Sequence, residues 1–183
     1  SGHLILVPAF FGWSDQGIFF DVALHAGSLL AVCVYFRHDL IRILYGSADL
    51  FTQAPSSPES KLAAGIALAT VPAVIAGLFL SEWIGQNLRG PIVVSFALAF
   101  YAVLMWFADL FASRKRKITE ITLGDALLIG LAQALALIPG TSRSGITITA
   151  GLMLGVRRRD ATKFSFILSI PVILLAAGYE FLT

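Results

Sequence analysis

Apolar residues run through this chain in blocks, not at the periods of about 3.6 or 2 residues that mark a half-buried helix or strand, so most segments are hydrophobic on every face. Residues 17–36 are interrupted only by Asp21 and His25 and are long enough to span a bilayer. Asp21 and His25 sit four apart and share one face of that helix. Arg37, His38 and Arg42 follow, and 37–50 alternates basic and apolar positions as an interfacial helix does. The stretch 52–60, with Pro55, Ser56, Ser57 and Pro58, reads as a loop. Residues 62–80 form an uncharged span with Pro72 inside, 81–90 a short polar connection, and 92–108 the next uncharged span, closed by Arg114-Lys115-Arg116-Lys117.

The next apolar run, 122–138, carries only Asp125 and Gln133 as polar interruptions and stops at Pro139-Gly140, while 146–156 is too short to cross alone. A helix, a break and a half-helix are therefore expected. Since Arg157-Arg158-Arg159 comes next, the segment should enter from the positively charged side, turn within the membrane and return. Residues 164–179, with Pro171, cross once more. Ser1-Gly2 and Ser144-Gly145 each open a short apolar stretch, followed by a turn and a span, and by parity the two stretches end on opposite sides. The expected fold is thus an all-α polytopic membrane protein, a single domain over 1–183, with inverted-topology repeats at about 1–50 and 122–183 and broken, re-entrant helices meeting near the midplane.

Composition agrees: 57% of residues are hydrophobic, 13% are charged and mean hydropathy is +0.85, outside the range of soluble domains. A net charge of +2 is too small for nucleic-acid binding, and the cations cluster between spans, as membrane topology requires. The tetrad 114–117 reads as topological or headgroup-binding. The one cysteine, Cys33, excludes a disulfide framework. The chain opens at Ser1 without a methionine and reads as a piece of a longer one.

The chemistry sits at the break. Irregular backbone at membrane depth is tolerated only when it is buried in protein or lines a wet cavity, so the loop Pro139-Gly140-Thr141-Ser142-Arg143-Ser144-Gly145 lines something. Gly140 and Gly145 allow a tight turn and close approach of amides to a ligand; Ser142 and Ser144 can both cap a helix beginning at Gly145. That helix N-terminus adds free N–H groups, and Arg143 adds a planar cation matched to phosphate oxygens. The bland alternative, Arg143 reaching a headgroup, is weaker because intramembrane charge is costly without an anion or a water path. Ser1-Gly2-His3 offers a second glycine turn with an imidazole able to move a proton or attack phosphorus. Gln133, on the approach to the loop, suits an interhelical hydrogen bond.

The 139–145 loop, with Ser1-Gly2-His3-Leu4 upstream, flanking Gln133 and Phe164-Ser165-Phe166, resembles the two signature motifs of the bacterial undecaprenyl-diphosphate phosphatase family, over essentially the whole chain. The resemblance implies a bacterial inner-membrane enzyme that removes the terminal phosphate of undecaprenyl diphosphate, recycles the lipid carrier for peptidoglycan synthesis and confers bacitracin resistance. By that resemblance His3, Arg143 and Ser142 are catalytic; Ser1, Gly2, Thr141, Ser144, Gly145 and Gly140 bind substrate; and a divalent metal, Mg or Ca, is the cofactor. The family's glutamate pair and the serine of its first motif are absent here, so metal ligands are expected upstream of Ser1 and these residues alone are expected to be inactive. Partners are the polyprenyl diphosphate, membrane lipids and a second copy in a homodimer. The competing reading is a secondary transporter or lipid flippase that binds an anion with the same helix ends.

Overall fold

A computed structural model describes residues 3–14, 17–52 and 57–182, and their side chains except at 3–5, 17–19, 21, 22, 50–52 and 180–182. The described helices are α1 (His3–Phe11), α2 (Gly17–Tyr35), α3 (Arg37–Thr52), α4 (Pro58–Asn87), α5 (Pro91–Phe111), α6 (Leu123–Ala134), α7 (Arg143–Met153) and α8 (Arg158–Leu182), with 3-10 turns at Ile118–Glu120 and Leu135–Leu137. The all-α membrane architecture expected from the hydrophobic blocks is present. Pro58–Asn87, Pro91–Phe111 and Arg158–Tyr179 are each long and apolar enough to cross a bilayer. Phe79 is 80% exposed and Ile92 86% exposed. Hiding such a side chain from water is worth about 1.5–3 kcal/mol, so a surface paved with them belongs in lipid.

The expected polar connection at 81–90 is shorter than anticipated: α4 continues to Asn87, and only 88–90 link it to α5. Nothing in Ser81-Glu82-Trp83 breaks a helix, and Asn87 Nδ2 donates to the Trp83 carbonyl at 2.8 Å. The chain turns at Gly90-Pro91, where proline pushes the preceding residue out of the helical region. At its other end α4 starts on a capping box in which the Ser57 and Ser60 side chains each bond the other's amide at 3.1 Å, with Pro58 in the first turn, where its missing N–H costs nothing.

Helices α4, α6 and α8 enclose the core, built from Ile66, Ala69, Ala126, Ile129, Phe164, Ile167 and Leu168. Lipid tails are as apolar as leucine, so close backbone packing and interhelical hydrogen bonds must hold the helices together. A Cβ on Gly130 would lie 2.4 Å from the Ala69 carbonyl oxygen, and Gln133 Nε2 donates to that same oxygen at 3.4 Å. The interhelical role expected for Gln133 is therefore observed.

Ion pairs mark the positive side. Arg158 at the start of α8 pairs with Asp109 near the end of α5, and Lys163 Nζ meets Asp39 Oδ1 of α3 at 2.7 Å. Blocks separated in sequence thus gather at one end of the helices, as the parity of the spans requires.

The re-entrant path of 122–154 is visible in one side chain. Arg116 Nη2 donates to Asp125 Oδ2 at 2.5 Å, in the first turn of α6, and to the Glu120 carbonyl at 2.7 Å. Its Nη1 donates to the Leu154 carbonyl at 2.9 Å, where α7 ends. A single guanidinium therefore holds the entry and exit of the hairpin, so both lie on one side. The bond to Asp125 keeps Arg116 above its ordinary pKa. This corrects the topological reading of the 114–117 tetrad: Arg116 is a structural clamp, because a fork of donors can serve a carboxylate and two carbonyls together. Backbone pairing reinforces it, with the Lys115 and Arg116 amides on the Gly155 carbonyl at 3.0 Å and the Arg157 amide on the Arg116 carbonyl at 2.9 Å.

Candidate functional site

The hairpin's arms fix where its tip sits. Helix α6 has 12 residues and so rises about 18 Å from the clamp, against a hydrocarbon thickness of about 30 Å. The break therefore falls at membrane depth. Thr122 launches α6 with a capping box to Asp125. After the 3-10 turn at Leu135–Leu137, the Thr141 amide donates to the Ile138 carbonyl at 3.0 Å, closing a turn whose central residues are Pro139 and Gly140. Gly140 has φ +94°, the sign a type II turn demands at that position. Its bare Cα also faces α5: a Cβ there would be 2.4 Å from the Val94 carbonyl oxygen and 3.1 Å from Ala97 Cβ. Glycine is required twice over, by conformation and by contact.

Helix α7 begins at Arg143, two residues earlier than expected. Ser142 is its N-cap and accepts from the Gly145 amide at 3.2 Å. Ser144 is not a cap; it lies in the first turn with its hydroxyl 3.4 Å from that of Ser142. The reason is register: the cap oxygen must reach an amide three residues on, and Gly145 lies so close to Ser142 that a Cβ there would be only 3.0 Å from Ser142 Cβ. Helix geometry leaves the amides of Arg143 and Ser144 without intrahelical acceptors, aimed past the N-terminus with the positive end of the dipole.

The polar groups here are unsatisfied in a telling pattern. Among the described residues the buried side-chain atoms lacking a hydrogen-bond partner are Arg114 Nε, Gln133 Oε1, Thr141 Oγ1 and Arg143 Nη1, and two of these belong to the 139–145 loop. Thr141 is 6% exposed. An unpaired buried donor costs about 1–3 kcal/mol, more when charged, and such groups persist where a ligand completes them. A Thr141→Val exchange should therefore raise the thermal midpoint by a few degrees while lowering turnover about tenfold. A drop in both, followed by scanning calorimetry and phosphate release, would remove Thr141 from the site.

Of the other expected site residues, Ser1 and Gly2 lie outside the described residues, as do the side chains of His3 and Asp21. The backbone of His3 begins α1, and α1 and α7 both pack on α5, while α2 packs on α8. Each short helix is followed across a turn by a longer one, α1 by α2 and α7 by α8. Among the described residues no group of three or more His, Cys, Asp or Glu is arranged to hold a metal ion, and the ligands of the expected divalent metal are those expected upstream of Ser1. The sequence reading missed Thr147 as part of the loop's support. Its hydroxyl lies 2.9 Å from the Arg143 carbonyl and 2.6 Å from the Ser165 hydroxyl. The signal available was Thr147 and Gly151, four apart, facing Ala161 and Ser165, also four apart.

The fold and the loop together define a polytopic membrane protein with a glycine-, hydroxyl- and arginine-bearing loop at the break of a re-entrant helix pair. The family model described as bacitracin resistance protein BacA matches residues 1–183. Undecaprenyl-diphosphatase of Thioalkalivibrio sulfidiphilus is 50% identical over 182 residues, covering 100% of this chain and 68% of that protein. The enzymes of the same name from Hahella chejuensis and Saccharophagus degradans are each 50% identical and cover 98% of this chain and 67% of their own lengths. The chain thus spans about two thirds of these relatives. It belongs to the bacitracin resistance protein BacA family.

Proposed function

We propose that this protein is a bacterial plasma-membrane phosphatase that hydrolyses undecaprenyl diphosphate to undecaprenyl phosphate and inorganic phosphate, which recycles the lipid carrier and confers resistance to bacitracin. The observation that carries the reading is the pair of buried, unpartnered groups in one loop, Nη1 of Arg143 and the hydroxyl of Thr141, at a helix N-terminus inside the membrane of a BacA-family chain. A terminal phosphate supplies what these donors lack: several negative oxygens in a compact tetrahedron.

In the reaction the anhydride P–O bond breaks, its electron pair stays on the prenyl phosphate, and an oxygen from water ends on the departing phosphorus. Catalysis of such transfers is mostly positioning and charge stabilisation. Arg143 and the free amides of α7 neutralise the non-bridging oxygens, with the hydroxyls of Thr141, Ser142 and Ser144 as further donors. Gly140 and Gly145 let the backbone come close. By the family resemblance Ser1 and Gly2 bind the substrate, and His3 moves the proton or attacks phosphorus. Support for two facing half-sites is the packing of α1 and α7 on the same helix, α5. The exposed apolar flanks of the helices leave the prenyl tail in lipid.

The full chain in detergent with Mg2+ should release inorganic phosphate from a prenyl diphosphate. Movement of the intact lipid across sealed vesicles without phosphate release would instead establish the transporter reading.

A further inference from the structure

Helices α7 and α8 run antiparallel along a seam of small residues. A Cβ on Gly151 would lie 3.0 Å from Ala161 Cβ, and four residues away on each helix, in opposite directions, the Thr147 and Ser165 hydroxyls meet at 2.6 Å. One more step of four brings Arg143 level with Ser169, another buried serine, whose hydroxyl is held by the Phe166 carbonyl at 2.6 Å. The seam therefore leads to the turn of α7 that carries Arg143.

The direction of the hydroxyl bonds follows from proton count. Thr147 Oγ1 is 2.9 Å from the Arg143 carbonyl and 3.2 Å from that of Ser144; both can only accept, so the Thr147 proton points to them. In the 2.6 Å contact Ser165 must then donate to Thr147. Thr147 is 2% exposed and Ser165 1% exposed, so water does not compete. The result is a relay, Ser165 hydroxyl to Thr147 hydroxyl to Arg143 carbonyl, in a dry medium where each bond strengthens the next.

We propose that Ser165 is a positioning residue for Arg143: through Thr147 it fixes the rotation of the first turn of α7 against α8, and so the direction in which the guanidinium leaves the helix. The proposal rests on the phosphatase reading above. A long cation on an otherwise free helix end samples several directions, and only one faces the phosphate. Placement errors of about 1 Å are costly in catalysis, so a bond that stops this rotation acts on rate more than on stability.

Two measurements test it. In the first, Ser165→Ala lowers kcat/KM on a prenyl diphosphate about tenfold in the wild-type background but less than about twofold in Arg143→Lys, whose ammonium has no fork to aim. Equal losses in both backgrounds, or none in the wild type, would overturn the proposal. The second needs no turnover and reads the rise in thermal midpoint caused by saturating inorganic diphosphate. Ser165→Ala should keep the unliganded midpoint within about a degree and lose at least about half of that rise, and Ser165→Thr, which retains the hydroxyl, should recover it. A lowered unliganded midpoint with the full rise retained would make Ser165 merely structural. Wild-type protein releasing no phosphate would defeat the phosphatase reading instead, leaving the diphosphate arm to judge Ser165 alone.

Discussion

Arg143→Ala is expected to abolish phosphate release, by about a thousandfold or more, while the protein remains folded. The guanidinium sits at the first position of α7 with a buried nitrogen that no described acceptor satisfies, so removing it relieves an unsatisfied charge in the resting protein. In the transition state the same group faces charge spread over phosphoryl oxygens at low dielectric, where single donors and cations account for several powers of ten in rate. Arg143→Lys should recover only part of this, because a point charge lacks the fork that spans two oxygens. Phosphate release by the alanine variant, measured beside its thermal midpoint, separates the outcomes: undiminished turnover rejects the site, and an unfolded protein rejects the claim that the charge is a cost at rest.

The second large effect is structural. Gly140→Ala should destabilise the protein by about 3 kcal/mol or more and empty the site. A side chain at φ +94° costs about 1–2 kcal/mol in backbone strain, and overpacking adds about 1–3 kcal/mol because the new carbon would sit 2.4 Å from the Val94 carbonyl oxygen. Helix α5 has no slack to offer, since Val94 is wholly buried. Gly77→Ala is the matched control, as a Cβ there meets nothing within 4 Å. Similar thermal midpoints for the two variants would contradict the tight seat of the loop on α5.

Much of this was legible in the sequence. The spans, the loop and the re-entrant break followed from block hydrophobicity, from Pro139-Gly140 and from a run at 146–156 too short to cross. The identity of the loop followed from glycine, hydroxyl and arginine chemistry at depth. What was not legible came from tertiary contact. Arg116 looked like one more cation in a topological block, and only the fold brings Asp125 and the Leu154 carbonyl to it. The start of α7 is not legible in sequence because Ser142 and Ser144 are equally good caps by type, and the choice lies in which reaches the Gly145 amide. The polar residues 81–87 look like a loop in sequence but extend α4 to Asn87, because helices leaving a membrane carry polar ends.

The Arg116 clamp also has a mechanical consequence. Held at its foot and about 18 Å long, the α6–α7 hairpin is a cantilever with the phosphate loop at its tip. An angular slack of about 5° at the foot would swing the tip by roughly 1.5 Å, more than the misplacement of about 1 Å that can cost a hundredfold in rate. A clamp alone is therefore too coarse, however strong. Precision at the tip must come from lateral stops close to it, and those the fold supplies include α4 against Gln133, α5 under Gly140 and α8 behind Thr147.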